Sequence, residues 1–318
     1  MAEDHPIRPD ARAYLDALEA NPRPPMNDET IAMMRQVPPD LISEALEAFE
    51  LPVGDLGEIR DVTMPGPGGD IAMRLFDPRD SREPGPVVVF FHGGGFVTGS
   101  IETHASLAAA IARGLDLPVV SVDYRLAPEH RWPAAPDDAE AAARWIAGNG
   151  AAFDREFTGL ILCGDSAGGT LTVVTAAALR DRPASLPLVL QIAIYPRTDA
   201  SRESQSYAQF VDAYGMTRAD MDYFERSYAA DRQSPRHSAV LGDLAGLPPT
   251  LVVTAGLDVL RDEGRAYAAK AIEAGVKVTY LECPGTIHGC LTFRKALPSA
   301  QADLDEALAL ARTMLAHG

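Results

Sequence analysis

The chain has 318 residues and a formal charge of −17, with 28 Lys plus Arg against 45 Asp plus Glu. That acidic balance argues against nucleic acid and anionic membrane surfaces as partners, because both are bound through clustered Lys and Arg. Hydrophobic residues make up 47%, and a chain of this length can bury a large core, as one big α/β domain or one domain with an appended lid; no apolar run is long enough to span a bilayer. Cys163, Cys283 and Cys290 lack metal-like spacing, so neither a metal site nor a disulfide framework is expected. The start, Met1-Ala2-Glu3-Asp4-His5-Pro6, is acidic where a secretory signal is basic, which makes a cytoplasmic location the expectation.

From Ala11 to Glu50, apolar residues at helical spacing predict two or three short amphipathic helices, broken at Pro22 to Pro25 and at Pro38-Pro39. Glu58–Met64 and Asp70–Phe76 alternate as a hairpin around a Pro/Gly turn. Pro86–Phe91 is a continuous β-branched and aromatic run, the pattern of a strand covered on both faces in a mostly parallel sheet. It ends in His92-Gly93-Gly94-Gly95-Phe96. Glycines after a buried strand leave backbone N–H groups open to a ligand. No P-loop or dinucleotide frame is present, so an oxyanion-binding loop is the preferred reading.

A helix from about His104 to Gly114, a strand at Pro118–Asp123 and a helix opening at Pro136-Asp137-Asp138 follow. Asp123, Arg125 and Glu129 between them read as a structural network. The run Leu160-Ile161-Leu162-Cys163 then enters Gly164-Asp165-Ser166-Ala167-Gly168, with an Ala-rich helix behind it. A Ser between glycines at a strand-to-helix turn is the nucleophile-elbow pattern, in which small neighbours let strand and helix approach closely. Leu188–Tyr195 is the next strand. About 50 residues intervene before Thr250–Ala255, too long for a plain connection. They carry Tyr207, Phe210, Tyr214, Tyr223, Phe224 and Tyr228, and read as lid helices; His237 among Arg232, Arg236 and Asp243 reads as a surface ion pair. A helix to Ala274, a last strand at Val276–Glu282 and a closing helix from about Ser299 complete the chain.

Three groups thus stand in the order Ser…Asp…His, each after a strand. Catalytic groups of an open parallel sheet gather at the carboxyl ends of its strands, and this chain order is that of the α/β-hydrolases. His288 alone of the seven histidines follows the last strand in a small-residue loop, and Asp258 is preferred to Asp262 and Glu263, which look like first-turn helix residues. The expected catalytic residues are Ser166, Asp258 and His288. The expected oxyanion donors are the N–H groups of Gly94, Gly95 and Ala167, with Gly93 able to replace one of them. Phe96, Tyr195, Phe210, Tyr214, Leu257 and Ile287 are the candidate pocket residues.

His92–Gly95, Asp123–Glu129, Gly164–Gly169, Asp258–Gly264 and Ile287-His288-Gly289 resemble the corresponding motifs of the bacterial hormone-sensitive-lipase-like (family IV) esterases. The resemblance spans essentially the whole chain and is weakest in the lid regions. It implies an α/β-hydrolase fold with a mostly parallel eight-stranded sheet and a helical cap: cap helices at 1–50, core at 51–196, a cap insertion at 197–247 and the rest of the core at 248–318. It also implies short- to medium-chain carboxylic esters as substrates, no metal or organic cofactor, and a possible homodimer. One departure is Cys290, where that family usually has an aromatic residue; a packing substitution is preferred to a redox role. An amidase or deacetylase on the same machinery stays open. A non-catalytic binding module is disfavoured because His288 is present.

Overall fold

The apolar runs of the sequence assemble the middle of one eight-stranded sheet. The computed structural model describes residues 6–317, so the expectations for Met1 to His5 lie outside it. The strands are β1 (Glu58–Gly66), β2 (Gly69–Asp77), β3 (Gly85–Phe91), β4 (Val119–Val122), β5 (Phe157–Asp165), β6 (Leu188–Ile194), β7 (Thr250–Leu257) and β8 (Val278–Ile287). Their order is β1-β2-β4-β3-β5-β6-β7-β8. The β1–β2 and β2–β4 pairings are antiparallel and the others parallel. The chain has the α/β-hydrolase fold.

Helices cover both faces, so the central strands read as unbroken apolar runs. Alternate residues of β3 feed two cores: Val87, Val89 and Phe91 pack on one face, Val88 and Phe90 on the other. The first core is completed by α5 (Ala134–Gly148), α6 (Ala167–Asp181) and α9 (Arg261–Glu273); α4 (Ile101–Leu115) and α10 (Ser299–Ala316) complete the second.

The remaining helices are α1 (Pro9–Ala20), α2 (Asp28–Met34) and α3 (Pro39–Leu46) before the sheet, and α7 (Gln205–Phe210) and α8 (Arg218–Tyr228) between β6 and β7. The two groups touch: Tyr223 Oη donates to Asp28 Oδ1 at 2.9 Å, and Arg23 Nη2 donates to the Gly215 carbonyl at 2.6 Å.

Several boundaries differ from the sequence expectation. The helix behind Ser166 begins at once, at Ala167, because Ala167, Gly168 and Gly169 let the first turn pack against the sheet. A Cβ on Gly168 would run into the Phe91 carbonyl oxygen, and one on Gly164 would sit 2.6 Å from it. Strands β7 and β8 both run further than their apolar stretches. They continue past a register irregularity after Ala255 until Leu257 pairs with Ile287. The next residue of each strand is therefore Asp258 and His288, which leave the sheet side by side.

Candidate active site

Ser166 sits between β5 and α6 with φ 54° and ψ −117°. This region is sparsely populated for a residue with a Cβ and costs on the order of 1–3 kcal/mol unless its surroundings enforce it. Here they do: Ser166 N donates to the Ile194 carbonyl at 2.9 Å, while Ser166 O accepts from Thr170 N at 3.0 Å. The turn projects the hydroxyl away from the sheet, and Ser166 Oγ lies 2.8 Å from His288 Nε2. His288 Nδ1 is 2.7 Å from Asp258 Oδ2. Asp258 Oδ1 accepts from Leu260 N at 2.8 Å, so both carboxylate oxygens of this buried residue are engaged. The structure thus brings Ser166, His288 and Asp258 into one continuous relay.

Burial alone would push the His288 pKa down. The neighbouring Asp258 carboxylate, through its charge and its hydrogen bond, and the charge of Asp165 outweigh that and hold it above the ordinary imidazole value. Asp262 Oδ2 accepts instead from Ser206 N at 2.9 Å. Glu263, whose carboxyl burial pushes up to about 7, accepts from the Thr198 and Asp199 amides. Both serve the connection after β6 rather than the relay.

The glycine loop after β3 is tied down so that only some of its amides are free. Gly94 O accepts from Val97 N at 3.0 Å and from Thr98 N at 2.8 Å, and Gly94 and Gly95 have φ 117° and 62°. Gly93 N donates to Asp165 Oδ1 at 3.0 Å and approaches His104 Nε2 at 3.2 Å. Its amide is therefore already engaged within the protein. The amides of Gly94, Gly95 and Ala167 have no protein acceptor among the described residues. Ala167 opens α6, so its N–H also carries the positive end of the helix dipole. All three residues line the same cavity as Ser166 and His288.

The neighbours brace this arrangement. Asp165 is buried, and although burial opposes its charge, the adjacent histidines, His104 foremost, hold its carboxyl below the usual range. His92 is fully buried and stacked on Tyr124, with its pKa pushed down to about 3 by burial. Tyr124 Oη donates to the His92 carbonyl at 2.7 Å. Arg125 pairs with Asp138 at 2.8 Å; Arg35 reaches Glu129 at 3.2 Å and donates to the Val97 and Ala127 carbonyls. Cys290 is buried in the second core, its thiol pushed up to about 12 by burial, as a packing residue would be.

The cavity has a volume of about 320 Å³. Of the six candidate pocket residues, Phe96, Tyr214 and Ile287 line it; Tyr195, Phe210 and Leu257 do not. Tyr195 has φ 32° and lies buried behind His288, ring centroids 4.9 Å apart. Phe210 is buried between Tyr214 and the Arg261 guanidinium, and Leu257 is consumed by its pairing with Ile287. Leu18, Met26, Met216, Met221, Phe224 and Phe293, which the sequence did not mark as pocket residues, also line the cavity. Leu18, Met221 and Phe224 stand on the helices α1 and α8, whereas Met26, Met216 and Phe293 lie in loops, where no periodicity marks them. His237 is also corrected: it is buried against Phe96 and Tyr228, not paired at the surface. Its sequence neighbours are engaged elsewhere, Arg236 with Asp137 and Arg232 with the Ala200 carbonyl.

The family model described as alpha/beta hydrolase fold matches residues 88–292. Esterase LipI of Mycobacterium tuberculosis is 36% identical over 94% of this chain and 98% of its own length. Ethyl acetate hydrolase of Pseudomonas putida is 33% identical over 94% of this chain and 96% of its own. Among solved structures, an alpha/beta hydrolase enzyme from the metagenome of Lake Arreo superimposes with a TM-score of 0.87 at 38% identity, covering 98% of this chain and 99% of that one. No described helix is long and apolar enough to cross a membrane. The chain therefore belongs to the α/β-hydrolase-fold carboxylesterases related to the bacterial hormone-sensitive-lipase-like esterases, serine-hydrolase-type enzymes that act on carboxylic esters.

Proposed function

We propose that this chain hydrolyses short- to medium-chain carboxylic esters through an acyl-enzyme on Ser166. The observation that carries the reading is the relay from Asp258 through His288 to Ser166, with distances of 2.7 and 2.8 Å, in the wall of a cavity with three free amides. His288 Nε2 takes the Ser166 proton as Oγ attacks the ester carbonyl. Asp258 holds the tautomer with Nδ1–H and stabilises the imidazolium. The amides of Gly94, Gly95 and Ala167 receive the negative charge that develops on the carbonyl oxygen, each such donor being worth about 2.7–4 kcal/mol in comparable sites. His288 then returns the proton to the departing alcohol oxygen. In the second half-reaction it deprotonates a water that attacks the acyl carbon, and Ser166 leaves with the proton.

The segments 1–50 and 197–247 act in this reading as one cap over the site. The cavity, about 320 Å³, falls near the low end of small-molecule sites, roughly 300–1,000 Å³. That size and the methionine-rich wall support short to medium acyl chains, as does the likeness to a protein named for ethyl acetate hydrolysis. A series of p-nitrophenyl esters from acetate to palmitate checks this. The specificity constant should peak between acetate and octanoate and fall at least about tenfold by palmitate. A palmitate value equal to the hexanoate value would overturn the chain-length assignment.

A further inference from the structure

Part of the cavity wall is charged in a way that acyl transfer does not use. Arg197, Glu225, Arg232 and His237 all line it. Arg197 Nη2 donates to Glu225 Oε1 at 2.5 Å, and Arg232 Nη1 lies 3.6 Å from Glu225 Oε2. Both oxygens of Glu225 are therefore turned toward guanidinium groups, and the three residues sum to one positive charge. The other two charged cavity residues of the cap, Arg23 and Asp220, cancel each other. They are also occupied, Arg23 by the Gly215 carbonyl and Asp220 in capping α8.

The unused hydrogen-bonding capacity at this place lies on the Arg197 guanidinium and the His237 ring. Arg197 Nε is buried without a partner, and only one nitrogen of its guanidinium is committed. His237 is 5% exposed, sits edge-on to Phe96 and Tyr228, and its Nδ1 is buried with no partner. Burial, together with the charges of Arg197 and Arg232, pushes its pKa down to about 3, so the ring is neutral and offers a single N–H to an acceptor. A buried donor left without an acceptor is costly, and guanidinium groups satisfy carboxylates in their planar fork geometry.

We propose that Arg197, Arg232 and His237 form a carboxylate subsite, which selects esters bearing a second, free carboxylate, such as hemiesters of dicarboxylic acids. The proposal rests on the esterase reading for its turnover assay but not for its binding assay. Glu225 holds the two guanidinium groups apart and in orientation, so the subsite accepts one anionic group without assembling new structure.

The test compares two pairs matched for length. One carries the charge on the acyl side, monoethyl adipate against ethyl hexanoate; the other carries it on the alcohol side, 4-acetoxybutanoate against butyl acetate. The Arg232 side chain is 48% exposed, so Arg232→Gln disturbs no packed core. For at least one pair, the ratio of charged to neutral kcat/KM should fall about tenfold in Arg232→Gln, the scale of one charge-assisted hydrogen bond. Ratios unchanged to within about twofold in both pairs would overturn the subsite. Calorimetry on Ser166→Ala protein separates the two readings, because it needs no turnover. At least one of the two charged esters, monoethyl adipate or 4-acetoxybutanoate, should bind about tenfold more tightly to Ser166→Ala than to the double variant with Arg232→Gln. Equal binding would again reject the subsite, whereas absent turnover of the neutral esters by the unaltered protein would reject the esterase reading alone.

Discussion

Ser166→Ala is expected to lower kcat for p-nitrophenyl butanoate by at least about 10⁴-fold while leaving the protein folded. The substitution removes only Oγ, whose one partner among the described residues is His288 Nε2, and keeps a small side chain at φ 54°. His288→Ala should cost as much to within about tenfold, and the double variant should be little worse than either, because a nucleophile without its base and a base without its nucleophile are equally idle. The free amides of Gly94, Gly95 and Ala167 would survive both changes and sustain a residual rate above that in water. Far-ultraviolet circular dichroism and a thermal melt check the fold, and active-site titration excludes contaminating enzyme. Single-variant activities near that of the unaltered protein would remove Ser166 from the mechanism.

Asp258→Asn is expected to cost about 10⁴-fold in kcat, although it changes one atom and little volume. Asp258 Oδ1 accepts from Leu260 N, and Oδ2 faces His288 Nδ1. In the variant, the amide oxygen keeps the Leu260 bond and the amide nitrogen turns toward His288. Two donors cannot meet there, so the imidazole gives up its Nδ1 proton and carries it on Nε2, where it can no longer accept from Ser166. The pH dependence provides a second readout. Turnover needs neutral His288, so kcat/KM rises as pH passes upward through the imidazole pKa. Against the opposing effect of burial, Asp258 holds that pKa above the ordinary value of about 6.5. The acid limb of the unaltered protein should lie above that value, and the residual activity of Asp258→Asn should have its limb at lower pH. A limb that does not move would mean that Asp258 does not set the protonation of His288.

Much of this site was legible because its chemistry forces particular residue types into particular places. An elbow must have small neighbours, and Gly164 and Gly168 are small because the Phe91 carbonyl lies where their Cβ atoms would be. An oxyanion loop must leave amides bare, which marks Gly94 and Gly95. The lengths of β7 and β8 were less legible, since both strands continue through Gly256 and through Pro284-Gly285, residues that usually end strands. The irregularity after Ala255 absorbs them and sets Asp258 beside His288. The pocket wall was least legible. It is built from side chains of α1, α8 and the loops around them, which meet only in space, so the aromatic residues most visible in the sequence were partly the wrong ones. Phe210 and Tyr195 are large and buried for packing, whereas Met26, Met216 and Met221 face the cavity. The Arg197, Glu225, Arg232 and His237 cluster draws on residues spread over 41 positions of the chain, and local charge pattern gave no sign of it.

The central claim is that Ser166 carries the acyl group. It is tested most directly by treating the protein with diethyl p-nitrophenyl phosphate, which transfers its phosphoryl group only to an activated nucleophile, and mapping the adduct by peptide mass spectrometry. The account predicts one adduct per chain, on Ser166, formed in step with the loss of esterase activity and absent from His288→Ala. Full modification of Ser166 with activity retained, or inactivation through a different residue, would contradict it.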